Sequence, residues 1–116
     1  MIYKECDRHS ETVAGPFGGG GQLTRRQLIK TDADLCDKGR LFGHMTLAPD
    51  SSIGYHVHNG DSELYYILNG TGVYNDNGTE VPVEAGDLTI VKAGEGHALK
   101  NTGETPMDFI ALIVYA

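Results

Sequence analysis

The chain has 116 residues, a length that fits one domain, and its formal net charge is −7 with a sequence pI near 5.0. This acidity argues against binding to nucleic acid or to an anionic membrane through a basic face. No apolar run approaches the ~18 residues of a membrane span, the first residues lack a signal-peptide pattern, and two cysteines make no disulfide framework. We therefore expect a cytoplasmic protein.

Glycine is the unusual component of the sequence. The chain has 16 glycines and only four prolines, and glycine makes up ~7% of an average protein. The glycines follow no three-residue period, so they indicate many tight turns rather than a collagen-like chain. Turn signals recur roughly every 8–12 residues with no credible helix between them, a pattern typical of an all-β sandwich or barrel.

Residues 1–21 are polar and end in the run Pro16-Phe17-Gly18-Gly19-Gly20-Gly21. We interpret them as an N-terminal arm followed by a glycine-rich loop, and residues 22–116 as the barrel. Such a loop is most often a solvated connector. The alternative is a loop that lies against the mouth of a site, because glycines allow the backbone to approach closely.

Strand signals begin at residue 22. Residues 22–30 alternate in character and predict a first strand, whereas residues 31–39 support one helical turn at most. The Asn-Gly pair at residues 77–78 is a strong hairpin signal. Further strands are predicted over residues 40–48, 53–58, 63–69, 72–75, 79–84, 86–92, 96–100 and 107–115.

Four residues form a candidate metal site: His56, His58, Glu63 and His97. The first two histidines are one residue apart on a predicted strand, so both imidazoles face the same side. A hairpin would place Glu63 opposite them, and His97 comes from a later strand. A lone His-x-His pair or a lone glutamate more often serves as an ordinary polar residue. The joint spacing instead predicts a divalent-metal site with open coordination positions.

At these residues the sequence resembles the cupin superfamily. The first cupin motif has the pattern Gly-x5-His-x-His-x3–4-Glu-x6-Gly, and it is matched at His56, His58, Glu63 and Gly70. Asp50 stands where the motif has its leading glycine. The resemblance implies a single-domain jelly-roll barrel, also described as a double-stranded β-helix.

The second cupin motif is also recognisable. Its pattern is Gly-x5-Pro-x-Gly-x2-His-x3-Asn, and it is matched at Gly86, Gly94, His97 and Asn101. Lys92 stands at the proline position, a departure that affects a turn more than the ligands. The two motifs together imply that the four candidate ligands bind one ion.

The sequence is similar in particular to small cupins described as oxalate-decarboxylase-like, through residues 39–42, 49–56 and 65–68. That similarity implies a manganese-type site that holds a small carboxylate, and iron, nickel, cobalt or zinc also suit this ligand set. We expect a metal-dependent enzyme that acts on a small carboxylate or carbonyl compound, by decarboxylation or dioxygen chemistry. The alternative is a non-catalytic cupin that binds or senses a small molecule or a sugar.

The sequence identifies no dedicated proton donor for such a reaction. His44, Tyr65 and Arg40 are candidate catalytic residues by position only. The C-terminal run over residues 109–115 is apolar on both faces, so one face would fill the barrel and the other needs a cover. A sheet or the N-terminal arm of the same chain is one possible cover; we expect instead a second copy of the chain in a homodimer, as is usual among small cupins.

Overall fold

The computed structural model describes all 116 residues and contains ten β-strands, three short 3₁₀ turns and no α-helix. The all-β class predicted from the sequence is confirmed. The strands are β1 (Ser10–Ala14), β2 (Gln22–Gln27), β3 (Gly39–Leu47), β4 (Ser52–Val57), β5 (Asp61–Asn69), β6 (Thr71–Asp76), β7 (Thr79–Glu84), β8 (Leu88–Val91), β9 (Gly96–Asn101) and β10 (Met107–Tyr115).

The strands form two antiparallel sheets. The larger sheet has the order β1-β2-β3-β10-β5-β8, and the smaller has the order β4-β9-β6-β7. Consecutive strands such as β3 and β4, or β4 and β5, lie in different sheets, so the chain repeatedly crosses between them. This is the connectivity of a jelly roll, and the predicted cupin barrel is confirmed.

The core fills the space between the two sheets, since strand side chains alternate between inward and outward positions. Along β10 the inward residues Met107, Phe109, Ala111 and Ile113 are buried, and the residues between them are only half-buried. Buried residues of the smaller sheet, such as Leu99, belong to the same hydrophobic cluster. The inward face therefore forms one continuous core, with the candidate ligands set into it.

Residues 1–21, expected to be an arm and a loop, contribute β1 to the edge of the larger sheet through antiparallel pairing with β2. The domain boundary at residue 21 stays a prediction. The loop between these strands lies on β4: the N–H of Gly20 donates to the Ser52 hydroxyl, and the N–H of Ser52 donates to the Gly20 carbonyl, both at 2.9 Å. The structure thus favours a docked loop over a solvated connector.

Two element boundaries differ from the sequence prediction. Strand β2 ends at Gln27 rather than at residue 30, because the Gln27 side chain replaces a backbone partner and accepts a hydrogen bond from the N–H of Phe42 at 2.8 Å. The helical turn expected within residues 31–39 is the 3₁₀ turn Asp32–Leu35, which begins with a capping box. Neither this turn nor the other two has the length and hydropathy needed to cross a membrane.

Candidate metal centre

The four predicted ligands meet at one point inside the barrel. Their potential ligand atoms all lie within 4.8 Å of one another. The Nε2 atom of His97 is 3.1 Å from the Nε2 atoms of both His56 and His58, and 3.2 Å from Oε1 of Glu63. Glu63, His58 and His97 are buried and His56 is half-buried, so the cluster opens towards solvent only on the His56 side.

Local pairing explains why these side chains converge. His56 and His97 are register partners in the β4–β9 ladder, which brings their side chains together on one face. His58 follows β4 directly, and the chain then turns through Gly60, whose φ of 77° lies in the left-handed region. This turn carries the chain into the other sheet, where Glu63 occupies an inward position of β5.

Hydrogen bonds fix the orientation of two of the imidazoles. His56 Nδ1 lies 2.8 Å from the carbonyl oxygen of Gly54, and His58 Nδ1 lies 2.7 Å from Oδ1 of Asp61. Carbonyl and carboxylate oxygens only accept hydrogen bonds, so each Nδ1 carries the hydrogen and donates. The Nε2 lone pairs of His56 and His58 are therefore directed into the cluster, as metal ligands require.

The third imidazole is held by two tyrosines. His97 Nδ1 lies 2.8 Å from the Tyr74 hydroxyl, and the Tyr65 ring stacks on the His97 ring with centroids 5.0 Å apart. Burial raises the pKa of Tyr74 to about 12, so its hydroxyl stays neutral and able to accept from Nδ1. His97 is thereby aligned like its two neighbours, with Nε2 facing the cluster.

This donor set fits a divalent cation. With His97 Nδ1 donating to Tyr74 and all three imidazoles neutral, three Nε2 lone pairs and one carboxylate oxygen face one another, so they repel unless a proton or a metal ion lies among them. Separations of 3.1–3.2 Å are those expected between neighbouring donors that each lie about 2 Å from a common ion. Three nitrogens and one oxygen leave positions free for a ligand in an octahedral shell.

The electrostatics of the cluster maintain a negative carboxylate. Burial raises the pKa of Glu63, but hydrogen bonds with His58 and His97 outweigh burial and bring the pKa to about 2. The hydrogen bond with Glu63 raises the pKa of His58, whereas burial lowers the pKa of His56. A metal ion would take the place of a proton shared among these groups.

Asp61 links the cluster to Arg40. The Nε of Arg40 donates to Oδ2 of Asp61 at 3.0 Å, while the other carboxylate oxygen accepts from His58. Burial raises the pKa of Asp61, but these two partners hold it below its ordinary value. Asp61 falls between the predicted strands 53–58 and 63–69, and no role at the site was predicted for it. Its position three residues after His58 was the available signal for a supporting role.

A cavity of about 140 Å³ lies beside the cluster, with His56, His58 and Glu63 among its lining residues. Most of the wall is apolar and comes from both sheets, and the charged side chains of Arg25 and Arg40 complete it. A small ligand that reaches the cluster would therefore be enclosed mostly by apolar walls, with two arginines among the lining residues.

The three candidate catalytic residues have different positions. Tyr65 and Arg40 line the cavity. His44 does not, because the neighbouring Gly43 and Met45 take the inward positions of β3 and His44 points to the outer face. There its Nε2 lies 2.9 Å from Oδ1 of Asp108. This position fits an ordinary polar residue of the sheet, and a catalytic role for His44 stays a prediction.

Comparison with known proteins gives consistent matches. The sequence profile of the cupin domain matches residues 43–115. The chain is 40% identical over 114 residues to the oxalate-binding protein of Thermotoga maritima. This match covers 98% of this chain and 93% of that protein. It is also 34% identical over 95 residues to the tetracenomycin polyketide synthase protein TcmJ of Streptomyces glaucescens. That match covers 82% of this chain and 62% of that protein.

Solved structures agree with the sequence matches. The crystal structure of a predicted oxalate decarboxylase from Thermotoga maritima superposes with a TM-score of 0.93 and 39% identity, and each chain is covered completely. The polyketide cyclase RemF from Streptomyces resistomycificus has a TM-score of 0.76 at 20% identity, with 99% of this chain and 78% of that chain covered, so the two share a fold. The resemblance found in the sequence motifs is confirmed, and the chain belongs to the cupin family.

Proposed function

We propose that this protein binds a divalent metal ion through His56, His58, Glu63 and His97, and that the bound ion holds a small carboxylate such as oxalate. One observation carries the proposal: three imidazole nitrogens and a carboxylate oxygen converge at one point beside a small cavity. The similarity to the oxalate-binding protein of Thermotoga maritima supports a small carboxylate as the ligand.

The size and charge of the cavity also support a small acid. Its volume of about 140 Å³ is well below the ~300–1,000 Å³ of pockets that take drug-sized ligands. Arg40 uses only its Nε for Asp61, which leaves its terminal nitrogens for a carboxylate. Arg25 is engaged from outside by Glu11 at 3.1 Å. These features favour a dicarboxylate over a sugar.

We propose manganese as the working ion. Carboxylate and imidazole donors with open positions suit it, although affinity order alone would favour zinc or copper. A bound ion would polarise the carboxylate that it holds. Elemental analysis of protein purified from its native host should find manganese, and the consistent presence of another metal would contradict this assignment.

Calorimetric titration tests the binding function. Oxalate should bind to the manganese-loaded protein and should not bind to the metal-free protein. Glu63→Gln protein in the same manganese buffer should behave like the metal-free protein, because its neutral amide removes the negative ligand. Acetate serves as a control for simple charge. Oxalate binding that does not depend on the metal, or no binding by the loaded protein, would contradict the proposal.

Turnover is the second candidate function, and Tyr65 is the observation that favours it. This tyrosine lines the cavity, and burial followed by the charge of Glu63 raises its pKa well above the ordinary value, so it keeps a proton. Decarboxylation of oxalate to formate and carbon dioxide needs one proton at the cleaved carbon. If Tyr65 supplies this proton, wild-type protein produces formate from oxalate. Tyr65→Phe protein then still binds oxalate but produces formate about 100-fold more slowly. No formate from loaded wild-type protein leaves binding as the function.

We also propose that the protein is a homodimer. Four apolar residues on the outer face of the larger sheet are each 44–54% exposed. They lie on the adjacent strands β5 and β8 and are Tyr66, Leu68, Leu88 and Ile90. A second copy would remove this apolar area from water. Light scattering should give twice the chain mass for wild type and the single chain mass for Leu88→Asp. A wild-type mass of one chain would contradict the dimer.

A further inference from the structure

The docked glycine-rich loop brings an aromatic side chain to the candidate metal centre. Phe17 is 65% exposed, yet its ring lies flat on the imidazole of His56, with centroids 3.9 Å apart and an angle of 12° between the planes. The same ring lines the cavity. Core packing does not explain a phenyl group with so much exposed surface, whereas a role at the site does.

Glycines hold this loop close to β4. A Cβ added to Gly54 would overlap the carbonyl oxygen of Phe17, and a Cβ added to Gly19 would overlap the carbonyl oxygen of Ser52. The close backbone contact between the loop and β4 therefore depends on one glycine in the loop and one in the strand. The loop is built to fix the position of the phenyl ring relative to His56.

The backbone conformation of Phe17 also indicates a role for its ring at the site. Its φ of 52° and ψ of 36° lie in the left-handed region, which bulky residues rarely adopt. Glycine would take this conformation without strain, and four glycines follow within the next four positions. The phenyl ring therefore explains why phenylalanine, rather than glycine, occupies this strained position.

We propose that Phe17 is a positioning and specificity-determining residue, whose ring orients the His56 imidazole and limits the length of the carboxylate that reaches the ion. This inference rests on the function proposed above. Loss of the ring would open the cavity beside His56, the one candidate ligand that is only half-buried. Longer dicarboxylates would then fit, and water would reach the ion more easily.

Ligand length gives the first test. Manganese-loaded wild-type, Phe17→Ala and Phe17→Leu proteins are titrated with oxalate, malonate and succinate. Wild type should prefer oxalate to succinate, and Phe17→Ala should reduce that preference by about tenfold or more. Phe17→Leu should fall between them, because it keeps an apolar wall without the stacked ring. Phe42→Ala, which removes a phenyl ring from the outer face of β3, is the matched control and should keep the wild-type preference. An unchanged preference in Phe17→Ala overturns the specificity role.

Metal release gives a second test that needs no carboxylate. Phe17→Ala should release manganese to excess chelator about tenfold faster than wild type. The chain has no tryptophan, so Phe17→Trp introduces a single indole whose emission should change when Co²⁺ binds, while Phe42→Trp should not respond. If wild type binds no dicarboxylate, the proposed function fails. The rate of manganese release and the indole emission still test whether the side chain at position 17 lies over the metal site. Release at the wild-type rate together with a silent Phe17→Trp overturns its placement over the site.

Discussion

The protein has two histidine–carboxylate groups on opposite faces of its strands, and they differ in how their polar atoms are satisfied. Inside the barrel, the Nε2 atoms of His58 and His97 and Oε1 of Glu63 lie 3.1–3.2 Å apart, with every Nδ1 hydrogen already donated elsewhere. On the outer face, His44 meets Asp108, and that carboxylate also accepts from a threonine hydroxyl and an asparagine amide.

Only the inner arrangement favours binding of a cation. The outer carboxylate has enough donors, so the group is complete as a hydrogen-bonded network on the surface. The inner group is buried and has acceptors only while its imidazoles are neutral, and an uncompensated group of that kind is costly to bury. Residue types alone do not separate the two groups. The direction of the lone pairs does.

The largest effect is expected from changing the charge at the centre of the inner group. Glu63→Gln keeps the shape of the side chain, but replaces a negative ligand by a neutral amide. We expect manganese affinity to fall by more than about 100-fold, measured by competition with a fluorescent chelator. Asp108→Asn makes the same chemical change in the outer group and should leave the affinity within about twofold. Equal losses in the two variants would contradict the distinction.

A smaller loss is expected when the support of a ligand is changed. Asp61→Asn weakens the acceptor of His58 Nδ1 and removes the charge that favours the correct tautomer. Manganese affinity should fall by about 10–100-fold in the same competition assay. Arg40→Gln leaves Asp61 in place and should have a clearly weaker effect. An Arg40→Gln loss as large as that of Asp61→Asn would instead assign the positioning to the arginine.

Tyr74→Phe removes the hydroxyl partner of His97 Nδ1. The imidazole then loses its only hydrogen-bond acceptor on that side and becomes freer to rotate. We expect roughly a tenfold loss of manganese affinity and a decrease of about 1 kcal/mol in the free energy of unfolding. Urea denaturation of the metal-free proteins separates the two effects. Unchanged affinity together with lower stability would show that Tyr74 supports only the fold.

The outer group should affect stability and its pH dependence, with no effect on metal. Burial raises the pKa of Asp108, but hydrogen bonds from Thr46, Asn69 and His44 outweigh burial and leave the pKa below its ordinary value. A lowered carboxyl pKa stabilises the folded state above the unfolded pKa of about 3.9, and this contribution is lost as pH falls through the folded value.

The corresponding variant is Asp108→Asn, which should unfold about 1–2 kcal/mol more easily at pH 7. The gap to wild type should shrink when urea denaturation is repeated below about pH 4, because the unfolded carboxyl is protonated there and the folded carboxyl follows at its lower pKa. A gap that stays constant from neutral to acidic pH would mean that the charge of Asp108 contributes nothing.

Most strands were predictable from the sequence, and β1 shows why the exception was not. Its residues Ser10–Ala14 are almost all exposed, so the strand has no alternation between apolar and polar positions. It pairs with β2 on one side only and packs little against the core. A strand that buries no face leaves no periodic signal in the sequence.

The ligands were predictable for the opposite reason, since their spacing along two strands is itself a pattern. Their supporting residues were not, because the contacts of Asp61, Tyr74 and Phe17 depend on the tertiary structure. His44 illustrates the limit. Its place on one face of β3, with Phe42 and Thr46, followed from alternation, but only the packing of the sheets determines that this face is the outer one.

The candidate ligands belong to both sheets, with Glu63 on the larger one and His56 and His97 on the smaller one. An ion bound between them would add bonds between two layers that otherwise contact each other mainly through side-chain packing. Local opening of either layer would then require breaking a metal bond, so the amide hydrogens of β4, β5 and β9 should exchange more slowly and in concert after metal is added.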